Sequence, residues 1–140
     1  MNCQLIFYLA NKTGICERVL KKQLTSCNIN LTKTFFATGS IQLGTILCDA
    51  FKECGLCFIV GGLEFSDKYG IKNVMSKALA NQELDDMKRI ENPNNYQDGF
   101  IFRSKGQLIA VLPDNPDDIA AMLDSPLREY LMDFSEHSNS

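Results

Sequence analysis

The 140-residue sequence contains no tryptophan and only one histidine, His137, which lies three residues from the end of the chain. This scarcity excludes histidine-dependent catalytic triads and histidine-rich metal sites from the core, unless the end of the chain folds back. Basic residues are not in excess either, because 14 Lys and Arg against 17 Asp and Glu give a net charge of −3. Proteins that neutralise many phosphates are usually more basic, so we expect no nucleic-acid partner.

Long hydrophobic runs are also missing. No segment approaches the ~20 apolar residues that cross a bilayer, so we expect no membrane partner. The apolar run at residues 4–10 is short and follows no basic residue, whereas a secretory signal needs a basic start. The sequence therefore favours a cytoplasmic protein. Its apolar fraction of 45% and charged fraction of 22% are ordinary for a globular fold.

Cysteine is comparatively abundant, with six residues: Cys3, Cys16, Cys27, Cys48, Cys54 and Cys57. The chain is long enough to bury a core and several cysteines have apolar neighbours, so buried free thiols are favoured over a disulfide framework. Cys54 and Cys57 form a C-x-x-C pair, but Cys54 lies at the C-terminal end of a predicted helix, which disfavours a thiolate. A zinc site would need a second pair of ligands. We expect both thiols to be reduced and metal-free.

Strand and helix patterns alternate along the chain. Near-continuous or alternating apolar runs predict strands over residues 3–9, 31–37, 56–60, 100–103 and 107–112. Helical spacing predicts helices over about 15–24, 40–54, 72–80 and 83–90, and a last helix capped by Asn115. Alternation implies parallel strands with right-handed crossovers, and the final hairpin adds one antiparallel strand. The predicted fold class is α/β, a three-layer α/β/α sandwich with a mixed, mainly parallel sheet. We expect a single domain over 1–134 and a polar tail over 135–140.

Two glycine-containing turns are candidate ligand sites. Gly61 and Gly62 directly follow the apolar strand 56–60, where a backbone without side chains can approach a ligand and offer amides to an anion. Ligands of open α/β sheets bind outside the carboxyl ends of the strands. Gly39 and Ser40 open a helix after the second strand, where an anion could also bind. The alternatives are a tight turn for the first pair and ordinary helix capping for the second.

Acidic residues provide a weaker signal. Asp114, Asp117 and Asp118, or Asp85 and Asp86, could hold a hard cation. The positive end of the last helix already accounts for Asp117 and Asp118, and the solvated face of a charged helix accounts for Asp85 and Asp86. We therefore predict no metal site.

Three segments occur in an order that resembles the molybdopterin-binding domain family. They are the strand and double glycine at residues 58–63, the Pro93-Asn94 pair, and the closing strand and helix at 106–123. The family includes molybdopterin adenylyltransferases, gephyrin and the N-terminal domain of the competence-damage-inducible protein, and the resemblance covers residues 3–125. It implies the α/β/α fold, molybdopterin or an adenosine nucleotide with Mg²⁺ as ligand, and a homo-oligomer. It also implies a pocket formed by Gly61, Gly62, Leu63, Ser66 and Asp67, with Gly39 and Ser40 on one side and Asn94 and Pro113 on the other.

The loop after the double glycine departs from the family pattern. Glu64 stands where the family has glycine, and Lys68 and Tyr69 stand where it has two acids. Asp67 remains as the one candidate catalytic acid, and Ser66 has no histidine nearby to act as its base. We therefore expect a protein that binds a phosphate-bearing pterin or nucleotide and has lost catalysis. The alternatives are an active, metal-dependent molybdopterin adenylyltransferase or nucleotide pyrophosphatase with relocated acids, and an assembly protein.

Overall fold

The secondary structure follows the predicted alternation of strands and helices. A computed structural model describes residues 1–63, 70–78, 86–94, 97–104, 106–125 and 127–138. Its strands are β1 (Asn2–Tyr8), β2 (Asn30–Ala37), β3 (Leu56–Val60), β4 (Asp86–Ile90), β5 (Gly99–Ser104) and β6 (Gln107–Leu112). Its helices are α1 (Thr13–Thr25), α2 (Ser40–Glu53), α3 (Ile71–Ala78), α4 (Pro116–Asp124) and α5 (Leu127–Ser138).

The strands form one sheet in the order β2-β1-β3-β6-β5-β4. Strands β1, β2, β3 and β6 are parallel, whereas β5 runs antiparallel to both β6 and β4. The prediction of a mixed, mainly parallel sheet is therefore confirmed, with β5 as the one reversed strand among those described. Because the parallel strands end at the same edge, the loops that follow them are brought together there.

Helices cover both faces of the sheet. Along β1, Leu5 and Phe7 belong to a core that includes buried residues of α1, α4 and α5, whereas Ile6 and Tyr8 belong to a core that includes residues of α2 and α3. This alternation follows from the two-residue repeat of a strand. All five residues of β3 are buried, as expected for a central strand covered on both faces. The three-layer arrangement is thereby confirmed.

The charged helix predicted over 83–90 is wrong where the structure describes it. Residues 86–90 form β4, which pairs with β5 from Asp86 opposite Arg103 to Ile90 opposite Gly99. Met87 is exposed and Ile90 is buried. An edge strand can leave much of its surface in water, so its composition resembles that of a solvated helix. Pairing with β5 makes this segment a strand and not a helix. Residues 83–85, including Asp85, lie outside the described residues.

Helix α5 was not predicted from the sequence. Leu127 and Leu131 are fully buried and Phe134 is half-buried, which is the spacing of one helix face. The helix continues to Ser138, so residues 135–138 of the predicted polar tail are helical. In the described part of the chain, no helix is long and apolar enough to cross a membrane.

The six cysteines are free thiols, as predicted. Five are buried, and Cys48 is exposed. Burial raises the pKa of Cys3 to about 12, with a further contribution from the nearby Cys54. Burial also raises the pKa of Cys16 to about 12, and the Asp114 carboxylate beside it adds to this effect. Both groups therefore stay protonated at neutral pH, so they are poor nucleophiles.

Thiol labelling with iodoacetamide at pH 8 tests this assignment. We expect one rapidly modified cysteine per native chain, Cys48, because it is exposed and the other five cysteines are buried. Mass spectrometry of Cys48→Ser should show no fast modification, whereas denatured wild-type protein should take up label at all six positions. Fast labelling of Cys3 or Cys16 in the native protein would contradict the burial described above.

Candidate functional site

A cavity opens at the carboxyl edge of the sheet, between the loops that follow β1 and β6. Its volume is about 630 Å³, within the range of small-molecule sites. The residues that line it come from the β1–α1 loop, the loop before β5 and the start of α4. They are Asn11, Lys12, Gln97, Pro113, Asp114, Asn115 and Asp118.

Asp114 joins the two loops that border the cavity. Its Oδ2 accepts a hydrogen bond from the backbone N–H of Asn11 at 2.6 Å, and its Oδ1 accepts one from the N–H of Lys12 at 3.2 Å. The Cys16 thiol lies 3.7 Å from the same Oδ1. These N–H groups immediately precede α1, at the helix end that attracts anions. A carboxylate of the chain itself therefore occupies a position suited to an anionic ligand group.

Asn115 caps α4 and fixes the opposite wall of the cavity. Its Oδ1 accepts hydrogen bonds from the backbone N–H groups of Asp117 at 2.9 Å and Asp118 at 3.2 Å. Pro116 occupies the first helical position, where its missing N–H is not needed. The predicted start of this helix is confirmed. Asp118 is 3% exposed, although it lines the cavity.

The loop before β5 holds the carboxylate of Asp118. Asn94 Nδ2 donates to Asp118 Oδ1 at 2.9 Å, and the Asn94 backbone N–H donates to Asn92 Oδ1 at 3.0 Å. The buried Asn92 in turn donates from Nδ2 to the Gln97 carbonyl and from its backbone to Asp98 Oδ1, both at 3.0 Å. This network fixes the loop against α4, so Asn94 and Gln97 border the same space.

The double glycine is required by the packing of the fold. Gly61 and Gly62 have φ angles of +113° and +80°, which side-chain-bearing residues rarely adopt. A Cβ on Gly61 would overlap the carbonyl oxygen of Tyr8, and one on Gly62 would lie 2.7 Å from Tyr8 Cδ2. The tight-turn interpretation accounts for both glycines, so a larger residue at Gly62 would disturb the fold together with any ligand site.

The Gly61 amide corrects part of the anion-binding prediction. Its N–H donates to the carbonyl oxygen of Leu112 at 3.1 Å and thereby extends the β3–β6 pairing. The Gly62 carbonyl accepts from the N–H of Ile71 at 3.1 Å, where α3 begins. The amide of Gly61 is thus used within the sheet, because the turn continues the backbone pairing of the strands it leaves.

The remaining predicted site residues divide into four groups. Pro113 lines the cavity and Asn94 holds its wall. Leu63 packs against the core beneath α2 and α3. Gly39 is the N-cap of α2 and Ser40 its first residue, so the predicted Ser40 cap lies one residue earlier. Both follow the edge strand β2, away from the described cavity lining. Ser66 and Asp67 lie outside the described residues, as do the other residues of 64–69.

Lys12, Asp114 and Asp118 were not assigned to a ligand site from the sequence. Asp114 and Asp118 were weighed as cation ligands, and the positive end of the last helix accounted for Asp118. In the part of the chain that is described, no three His, Cys, Asp or Glu side chains are close enough to hold a metal ion. The described residues therefore do not fit a magnesium site, and no step through a metal is derived from them.

Removal of the Asp114 carboxylate tests its role in joining the two loops. We expect Asp114→Ala to lower the free energy of unfolding by about 2 kcal/mol, because two backbone N–H groups lose a charged acceptor. Urea denaturation followed by circular dichroism measures this change. Asp49→Asn is the control, because Asp49 forms only a solvent-exposed ion pair with Lys52 at 3.7 Å and should change stability little. Equal effects of the two substitutions would contradict the assignment.

The structure is similar to solved structures that include molybdopterin-biosynthesis proteins. CinA from Thermoplasma acidophilum, a protein described as having unknown function, matches with a TM-score of 0.73 and 18% identity over 91% of this chain and 96% of that one. The molybdopterin-biosynthesis protein Mog from Mycobacterium ulcerans matches with a TM-score of 0.70 and 15% identity over 96% and 97% of the chains.

MoaB from Thermus thermophilus, a molybdopterin-biosynthesis enzyme, matches with a TM-score of 0.73 and 11% identity over 99% of this chain and 97% of that one. No protein-family model and no curated protein matches the sequence. The fold implied by the resemblance is confirmed: this chain has the fold of CinA, Mog and MoaB.

Proposed function

We propose that the protein binds a small phosphate-bearing pterin or nucleotide in the cavity at the carboxyl ends of β1 and β6. The observation that carries the proposal is the cavity itself, whose volume of about 630 Å³ suits a ligand of that size. Its position at the carboxyl edge is where ligands of open α/β sheets bind. The names of Mog and MoaB, which have the same fold, refer to molybdopterin biosynthesis and favour a pterin.

Lys12 is the residue that favours an anionic group on the ligand. It is exposed at the start of α1 and lines the cavity. In the described part of the chain, no carboxylate forms an ion pair with its ammonium group, which leaves that group available to a phosphate. Asp114 and Asp118 add negative charge to the same lining, so a ligand with a single phosphate suits the site better than one with several.

The second part of the proposal is that catalysis has been lost. Nucleotidyl transfer and diphosphate cleavage need negative charge to be offset at the transferring group, commonly by a metal that acids hold. The resemblance places such acids where this chain has Lys68 and Tyr69. Asp114 is engaged by the Asn11 and Lys12 amides. The alternative, an active adenylyltransferase or pyrophosphatase, would have to rely on Asp67. The homo-oligomer expected from the resemblance stays a prediction, which light scattering tests.

Titration calorimetry with guanosine monophosphate, adenosine monophosphate and a pterin monophosphate tests the binding proposal. We expect at least one of them to bind, and Lys12→Gln to weaken that binding about fivefold, because an ion pair with the phosphate is lost. The control is Lys52→Gln, since Lys52 lies on α2 and is 78% exposed in its side chain. Absence of binding up to millimolar ligand, or equal affinities for the wild type and Lys12→Gln, would refute this site.

Product analysis with magnesium tests the proposed loss of catalysis. We expect no hydrolysis of nucleotide diphosphates and no adenylyl transfer by the wild-type protein, because Lys68 and Tyr69 stand where the resemblance implies the acids that would hold a charge-offsetting metal. Chromatography of overnight incubations with ADP-ribose measures the hydrolysis, and incubations with ATP and molybdopterin measure the transfer of the adenylyl group with release of pyrophosphate. Wild-type turnover that disappears in Asp67→Asn would show that the acids have been relocated, and the enzyme alternative would replace our proposal.

A further inference from the structure

Asp118 has features that helix capping does not explain. Capping of α4 uses the backbone N–H of Asp118, and its carboxylate is therefore left for other partners. That carboxylate belongs to a residue that is 3% exposed and lines the cavity. Burial of a carboxylate is unfavourable unless hydrogen bonds compensate for the lost water.

The described residues provide little of that compensation. Asn94 Nδ2 donates to Asp118 Oδ1 at 2.9 Å, and in the described ranges no other side chain donates to this carboxylate. A carboxylate has about four lone-pair positions, so the described residues use only part of its accepting capacity. A buried acceptor of this kind at a cavity wall is suited to a ligand that offers hydrogen-bond donors.

Asn94 also limits how the carboxylate can turn. Its side chain donates to one lone pair of Oδ1, and its own backbone is held by Asn92. The Asp118 carboxylate is thereby held in one orientation, and the described residues leave Oδ2 and the second lone pair of Oδ1 to other donors. Asn94 is a positioning residue in this arrangement.

Ligand donors in adjacent positions match a carboxylate best, because its two oxygens accept parallel hydrogen bonds. The 2-amino-4-oxopyrimidine edge offers such a pair, a ring N–H beside an exocyclic NH₂. Guanine and pterins carry this edge. The corresponding edge of adenine places an acceptor beside a donor, and that acceptor would face a carboxylate oxygen.

From this chemistry we infer that Asp118 recognises the 2-amino-4-oxopyrimidine edge of the ligand and selects guanine or pterin rings over adenine. The inference rests on the proposed function, because it assigns one end of the same cavity. Lys12 attracts the phosphate, and Asp118 selects the ring. The site therefore combines charge attraction with a specific hydrogen-bonding pattern.

Calorimetry with four nucleoside monophosphates tests the inference. The wild type should bind the guanosine form about tenfold more tightly than the adenosine or inosine form, because inosine lacks the 2-amino donor and adenine mismatches the carboxylate. Asp118→Asn should weaken guanosine monophosphate binding about tenfold and strengthen xanthosine monophosphate binding, since an amide can donate to the 2-oxo group of xanthine.

The neighbouring Asp117 provides a matched control. It lies beside Asp118 in the first turn of α4 and is exposed, so Asp117→Asn removes the same charge without reaching the cavity lining. This variant should keep the wild-type preference for guanosine over xanthosine monophosphate. Circular dichroism verifies that both variants are folded, and the inosine comparison tests the wild type without any substitution.

The outcomes separate this inference from the proposed function. Equal wild-type affinities for the guanosine, adenosine and inosine monophosphates would overturn the role of Asp118. A parallel loss of guanosine and xanthosine monophosphate binding in Asp118→Asn would overturn it also, since that result marks a merely structural residue. In either case, binding that depends on Lys12 would leave the proposed function standing. Absence of binding to any of these ligands would refute both.

Discussion

Burial of the central parallel strands on both faces constrains most of this molecule. Strands β1 and β3 lie side by side beneath helices on each face, and all five residues of β3 are inaccessible to solvent. Their polar backbone groups must therefore be satisfied within the sheet, which aligns their ends with that of β6. The tight turn at Gly61 and Gly62 follows from the same constraint, because this backbone passes directly against Tyr8 and continues the pairing with Leu112.

At the common edge of the sheet, a carboxylate of the chain itself binds backbone N–H groups beside the cavity. Asp114 reaches from the end of β6 to the amides of Asn11 and Lys12. This contact adds a direct link between two loops whose following helices, α1 and α4, also pack against each other. The Asp114 carboxylate also takes up an anion-binding position. In the site that we propose, Lys12 is the cation of the described cavity lining and attracts the phosphate. The proposed role of Asp118 is to accept hydrogen bonds from the ring at the other wall.

Sequence patterns predicted the architecture better than the site. The apolar runs of β1, β3 and β6 and the cap at Asn115 are local features, and they were interpreted correctly. The double glycine was predicted to hold an anion, but its positive φ angles and its contacts with Tyr8 reflect packing. Pro113 and Asn94 were placed at the pocket through family resemblance, and both border the cavity. Asp118 was explained only by the positive end of the helix, because a sequence shows which residues begin a helix but not what their side chains face.

The sequence by itself determined the order of strands and helices, the mixed parallel sheet and the edge at which a ligand site could form. These properties depend on periodicity and on turn residues, which act over a few neighbouring positions. Tertiary structure alone decided that residues 86–90 pair as a strand and that Asp114 holds the β1–α1 loop. It alone also buried Asp118 beside Asn94. Each of these outcomes depends on contacts beyond the local pattern, and the Asp114 contact joins residues separated by 103 positions. Such contacts form only when the sheet brings its loops together, so no local pattern could have specified them.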